Sequence, residues 1–176
     1  ILAAVGQPAP DFGEWEESRR LEFLNRELQS PRPFLYHGSE IGDQADAVLG
    51  CYAVLRRHLR EHGRDGIGAL IVSMTRQLSD LLVVYLLARE AGLMRWTPEG
   101  LLCTLPVVPL FETLDDLQRS SGLIEAFLSH PVTKRSLAFH QTDRAKVLSL
   151  PQSRPVQLVI LVYSDSNKVC GILARQ

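Results

Sequence analysis

The pattern of apolar and polar positions predicts helices in the first third of the chain and strand–helix pairs in the rest. From about Glu14 to Gln29, leucines recur at helical spacing, and the proline-containing stretch 30–33 ends this predicted helix. A second predicted helix begins at an N-cap, Asp43, and runs to about His62, where Gly63 stops it. Its predicted inward face is Val48, Tyr52, Leu55 and Leu59. Residues 1–65 therefore form a predicted helical segment.

Three short apolar runs in residues 66–176 have the length and composition of buried strands. They cover residues 66–74, 105–111 and 156–163. We expect the first run to be buried on both faces, because it is almost wholly apolar and is bounded by glycines. Residues 93–104, and the polar, proline-containing stretch that precedes the third run, are predicted to be loops.

Helices are predicted to follow the first two runs. One opens at Ser79-Asp80 and ends at Gly92. The other is capped by Thr113, with Asp116 at the spacing of a capping box, and is expected to end near His130.

Strands that alternate with helices predict parallel pairing with right-handed crossovers. Three such strands are fewer than half of an eight-stranded barrel, which needs about 250 residues. The predicted fold class is α/β and helix-rich: a partial (β/α)8, TIM-type barrel with three parallel strands and extra helices, in a single incomplete domain. Because the chain has no initiator Met and stops soon after the third run, we expect a piece of a longer protein.

Composition and charge narrow the function classes. The net charge of −1 provides no electrostatic field for nucleic acid or an anionic membrane surface. No stretch reaches the roughly 18 consecutive apolar residues that a membrane span requires. The three cysteines show no CxxC spacing, which indicates reduced thiols in a cytosolic protein. No glycine-rich phosphate-binding motif follows a predicted strand, which argues against dinucleotide or P-loop sites.

Carboxylates follow two of the predicted strands, at Glu112 and at Asp165. In a parallel sheet both would lie at the same end, where two oxygen ligands suit Mg²⁺ or Mn²⁺. Arg76 and Lys168 on the same rim would counter the charge of an anionic substrate. Structural roles remain open, because Glu112 also suits the positive end of the next helix and Asp165 suits an Asx turn.

Histidines give a weaker signal. His58 and His62 lie one helical turn apart and could act as a ligand pair. They lie among charged residues, so a solvated helix face is the favoured interpretation.

Three blocks closely resemble consecutive blocks of the phosphoenolpyruvate carboxylase family: GALIVSMTRQLSDLLVVYLLAREAGL, VVPLFETLDDLQRS and YSDSNK. The upstream FLNRELQSPRPFL is also similar to that family. The resemblance implies a cytoplasmic homotetramer with a modified (β/α)8 barrel. It implies carboxylation of phosphoenolpyruvate with bicarbonate to give oxaloacetate and phosphate. By the same resemblance, Glu112 and Asp165 would bind the divalent metal and Lys168 would be the active-site lysine. A substrate-binding role for Arg76 is argued from its position alone.

The chain also departs from the family pattern. Val162 stands where the family usually has Gly, and Val169 stands where it has Asp. The family's catalytic histidine motif lies upstream of this segment, and its phosphate-binding loops lie mainly downstream. We therefore expect this chain to be inactive alone. The alternatives are a truncated or decayed non-catalytic homologue, or another barrel enzyme that acts on pyruvate or its phosphate.

Overall fold

A computed structural model describes residues 12–35, 41–64, 66–148 and 155–162, and these form an α/β fold. A short 3₁₀ helix, Phe12–Glu14, precedes the regular elements. In chain order these are α1 (Glu17–Glu27), α2 (Asp43–His62), β1 (Leu70–Val72), α3 (Leu78–Glu90), β2 (Met94–Thr97), β3 (Gly100–Cys103), β4 (Val107–Phe111), α4 (Leu114–Ser129), α5 (Pro131–Leu148) and β5 (Ile160–Leu161).

The three predicted strands form one parallel sheet in the order β1-β4-β5. Leu70 pairs with Val107, and Leu110 pairs with Ile160, so β4 is the central strand. The α/β class and the three parallel strands are confirmed. The partial (β/α)8 barrel, and the division into a helical segment 1–65 and βα units 66–176, stay predictions.

The predicted loop 93–104 is wrong, because this stretch forms an antiparallel hairpin of β2 and β3. Thr97 pairs with Gly100, so only two residues connect the strands. Gly100 adopts φ +120°, a backbone conformation that favours glycine, and the Thr97 hydroxyl donates to its carbonyl at 2.9 Å. The two connecting residues, Pro98 and Glu99, therefore form the turn of a hairpin.

The predicted loop that follows His130 is also wrong over residues 131–148, which form α5. Pro131 occupies the first helical position, where its missing N–H costs no hydrogen bond. Buried polar residues join this helix to its neighbours. The Ser136 hydroxyl accepts from the Cys103 N–H at 2.8 Å, and the Tyr85 hydroxyl donates to Thr133 Oγ1 at 3.2 Å.

Two predictions of burial are also wrong. Val48 is 43% exposed, although Tyr52, Leu55 and Leu59 of the same helix do pack against the core. Ile71 is 56% exposed, so β1 is not buried on both faces. The reason is that β1 is an outer strand of the described sheet, and only Leu70 and Val72 on its opposite face contact the core.

The core lies between α1, α3 and β4, with Leu24, Leu81 and Leu82 fully buried. A buried ion pair fixes the chain that leaves α1. The Glu90 carboxylate accepts from the Phe34 and Leu35 N–H groups at 2.7 and 2.9 Å, and from Arg89 Nε at 3.1 Å. Within the described residues, no helix combines the length and the apolar character needed to cross a membrane.

Candidate functional site

The carboxyl ends of the parallel strands meet at one edge of the sheet, as the sequence predicts. Glu112 directly follows the central strand β4, and Ser73 directly follows β1. Asp165 and Lys168 lie outside the described residues, so their distance from Glu112 is untested. The described part of the candidate site therefore consists of the ends of β1 and β4 and the turns that follow them.

Glu112 is held by a neighbouring strand. The Ser73 hydroxyl donates a hydrogen bond of 2.7 Å to Glu112 Oε1. Among the described residues, the second carboxylate oxygen, Oε2, accepts no hydrogen bond and forms no ion pair. An ionised carboxylate has about four lone-pair sites, so a single hydrogen bond leaves most of its binding capacity available.

The turn after β1 has a defined conformation that presents Ser73 to Glu112. Met74 adopts φ +53°, which is uncommon for a residue other than glycine. The next residue, Thr75, is fully buried; its hydroxyl donates to the Val72 carbonyl at 2.8 Å, and its N–H donates to Leu110 of β4 at 3.2 Å. These bonds attach the turn to β4, the same strand that ends at Glu112.

Helix α4 begins immediately after Glu112 and has the predicted capping box. The Asp116 N–H donates to Thr113 Oγ1, and the Thr113 N–H donates to the Asp116 carboxylate, both at 3.2 Å. The capping prediction is confirmed. Because Thr113 occupies the N-cap position, Glu112 lies just outside the helix, where the positive end of the helix also favours a carboxylate.

Arg76 lies on the same rim as Glu112 and already has a partner. Its Nε is 4.0 Å from Asp116 Oδ1, and its side chain is 55% exposed. Asp116 is nearly fully buried, so the pair neutralises a carboxylate inside the capping box. This contact gives Arg76 a structural role, while its predicted substrate-binding role is untested.

A divalent ion is compatible with the chemistry of the described residues. Glu112 supplies a hard carboxylate oxygen, and Mg²⁺ often takes only one or two carboxylates, with water and substrate oxygens completing its coordination. Across the described ranges, no group of three or more His, Cys, Asp or Glu residues could hold a metal ion. The rings of His58 and His62 lie in tilted contact, with centroids 4.9 Å apart and an interplanar angle of 53°, and no third described ligand completes a site around them.

Ser73 is one of the polar residues that follow the predicted strands, but no positioning role was predicted for it. The signal was present, because Ser73 follows β1 just as Glu112 follows β4. The prediction paired carboxylates across the sheet and did not consider a hydroxyl that positions one of them.

The model of the phosphoenolpyruvate carboxylase family matches residues 1–176, the whole chain. The chain belongs to this family. Phosphoenolpyruvate carboxylases from Gloeobacter violaceus and Rhodothermus marinus are each 37% identical to it, over 174 and 168 residues. These alignments cover 99% and 92% of this chain, but only 17% and 16% of those proteins. The phosphoenolpyruvate carboxylase from Trichormus variabilis is 36% identical, with 95% of this chain and 17% of the relative aligned.

The chain thus spans about a sixth of the length of the phosphoenolpyruvate carboxylases it matches. The family match favours membership of this family over membership of another family of barrel enzymes that act on pyruvate or its phosphate.

Proposed function

We propose that this chain forms the metal-binding portion of a phosphoenolpyruvate carboxylase, which converts phosphoenolpyruvate and bicarbonate to oxaloacetate and phosphate. The observation that carries the proposal is the family match along residues 1–176. Oε2 of Glu112, which accepts no hydrogen bond from the described residues and lies at the end of the central strand, supports it.

Each proposed site residue has a chemical role. Glu112 and Asp165 bind Mg²⁺ or Mn²⁺ through carboxylate oxygens, which these ions prefer. Lys168 acts as the active-site lysine. Arg76, which lies at the rim 4.0 Å from Asp116, supplies positive charge toward the phosphate of the substrate. When bound, the ion would supply Lewis-acid stabilisation of negative charge on the substrate oxygens.

The wider setting of the chain is also part of this proposal. Since the relatives extend well beyond the matched segment, we propose that other segments complete a (β/α)8 barrel around the three-stranded sheet. The assembled protein would be a cytoplasmic homotetramer that fixes carbon dioxide as bicarbonate and supplies oxaloacetate to the tricarboxylic acid cycle. This chain alone would be inactive.

A decayed, non-catalytic homologue is the second candidate, and the two valines favour it. At position 162 the structure weakens that argument. Val162 donates its N–H to the Phe111 carbonyl at 3.2 Å, and its φ is not positive, so its backbone does not require the glycine that the family usually has there. Val169 lies outside the described residues, so the loss of an acid beside Lys168 remains the observation in favour of decay.

Phosphate release from phosphoenolpyruvate that depends on bicarbonate tests the proposal. We expect no activity from this chain alone. The chain should restore activity when it replaces the matching segment of the Gloeobacter violaceus enzyme, and Glu112→Gln in that chimera should abolish it.

A folded but inactive chimera would support the decayed homologue. Val169→Asp in the same chimera identifies the cause: recovery of activity would assign the defect to the missing acid. Activity that survives Glu112→Gln would contradict the metal-binding role of Glu112.

A further inference from the structure

Ser73 and Glu112 follow different strands, yet their side chains form a hydrogen bond at the carboxyl edge of the sheet. The donor hydroxyl lies 2.7 Å from Oε1, the usual length of a well-formed O–H···O bond. A hydrogen bond to an ionised acceptor is stronger than one between neutral groups. The contact therefore restricts rotation of the Glu112 carboxylate.

The turn that carries Ser73 is fixed independently of Glu112. Thr75 is fully buried and forms hydrogen bonds to both β1 and β4. Met74, which lies between Ser73 and Thr75, adopts a left-handed φ. Residues other than glycine rarely adopt that region, so such a conformation persists only where its surroundings impose it. The position of the Ser73 hydroxyl is thus set by the backbone of two adjacent strands.

We propose that Ser73 is a positioning residue for the metal site: it holds Oε1 of Glu112 so that Oε2 is presented to the divalent ion. This inference rests on the proposed function, since it takes Glu112 to be a metal ligand. Partners that orient metal ligands through hydrogen bonds typically change metal affinity about 10–100-fold when they are removed. Ser73 is exposed and water can compete for its bond, so we expect the lower end, about tenfold.

Mn²⁺ binding to the 176-residue chain, measured by the loss of the free-ion electron paramagnetic resonance signal, tests this inference. Ser73→Val and Ser73→Thr form a matched pair, because both are β-branched and of similar volume and only Thr retains the hydroxyl. We expect Ser73→Val to weaken Mn²⁺ binding about tenfold and Ser73→Thr to retain the affinity of the parent chain. Ser120→Ala removes a hydroxyl that bonds within α4, and it serves as the remote control.

The outcomes separate this inference from the proposed function. Loss of binding in Glu112→Gln, together with unchanged binding in Ser73→Val, would overturn the role of Ser73 and leave the metal site in place. Unchanged binding in Glu112→Gln, or no binding by the parent chain, would overturn both. Circular dichroism of each variant verifies the fold. If Ser73→Val unfolds, Ser73→Ala, which removes the hydroxyl without adding volume, replaces it and should show the same loss of about tenfold.

Discussion

Replacing Glu90 with Gln should strongly destabilise the fold, because it removes one charge from a buried ion pair. Glu90 has a fully buried side chain and meets Arg89, whose side chain is only 1% exposed. The Glu90 carboxylate also accepts both N–H groups at positions 34 and 35. The side chain of glutamine has only one oxygen acceptor, so its amide nitrogen would face either Arg89 or those N–H groups. Two hydrogen-bond donors would then point at each other, and the bonds to one carboxylate oxygen would be lost.

The expected magnitude follows from the partners that Arg89 retains. Removing one member of a buried ion pair costs about 3–5 kcal/mol. Arg89 keeps hydrogen bonds to the Glu27 and Ser30 carbonyls, and the Glu27 carboxylate lies 3.8 Å from Nη1. Because this second carboxylate offsets part of the lost charge, we expect the lower end, about 3 kcal/mol.

Urea unfolding, followed by circular dichroism, measures the change in the free energy of unfolding. Glu61→Gln is the matched control, because Glu61 forms an exposed ion pair with Arg60 at 3.5 Å and should change stability by less than about 0.5 kcal/mol. Adding Arg89→Met to Glu90→Gln should recover part of the loss, since the buried guanidinium charge is then removed together with its buried carboxylate partner. Equal effects of Glu90→Gln and Glu61→Gln would refute the reasoning.

Three further predictions concern the capping box, a histidine and the cysteines. Thr113→Ala removes the N-cap of α4 and should lower the free energy of unfolding by about 1 kcal/mol in the same urea assay, whereas Thr113→Ser should leave it nearly unchanged. Burial, and to a smaller extent the charge of Arg135, lowers the pKa of His130 to about 4. Between about pH 4 and 6.5 this histidine is therefore more protonated in the unfolded chain than in the folded chain. Stability should therefore fall as the pH decreases from about 6.5 to 4, and His130→Gln should make that fall shallower; an identical pH profile would contradict this assignment. Burial raises the pKa of the Cys103 thiol to about 12, whereas Cys51 is exposed. Iodoacetamide should therefore label Cys51 in the native chain and Cys103 only after unfolding, as measured by peptide mass spectrometry. Equal labelling rates for the two cysteines would show that Cys103 is accessible.

The sequence pattern predicted the three-stranded sheet correctly because each of its strands lies within a short apolar run. The N-cap at Thr113 was predictable for a similar reason, since its capping box depends only on residues three positions apart. Both features are local in sequence. The parallel pairing followed from the helices between the strands.

The elements that the pattern missed depend on contacts that are distant in sequence. α5 carries polar residues on its buried side, and Thr133 and Ser136 are acceptable there because Tyr85 and Cys103 bond to their hydroxyls. Apolar periodicity cannot identify a helix face of that kind. The contact between Ser73 and Glu112 joins positions 39 residues apart and depends on the register of β1 with β4. A sequence motif at the end of a single strand therefore cannot predict this contact.

The central position of β4 has a consequence for the order in which the chain folds. β2 and β3 are joined by two residues, and such a hairpin closes in about 1–10 μs. Leu70 and Val107 are 37 positions apart, and Leu110 and Ile160 are 50 apart, so both parallel pairings require long loops to close first. The hairpin lies within the first of these loops, so its formation shortens the flexible chain that must close before β1 pairs with β4. β5 should therefore join last, and the carboxyl edge would be completed only after Ser73 and Glu112 have met.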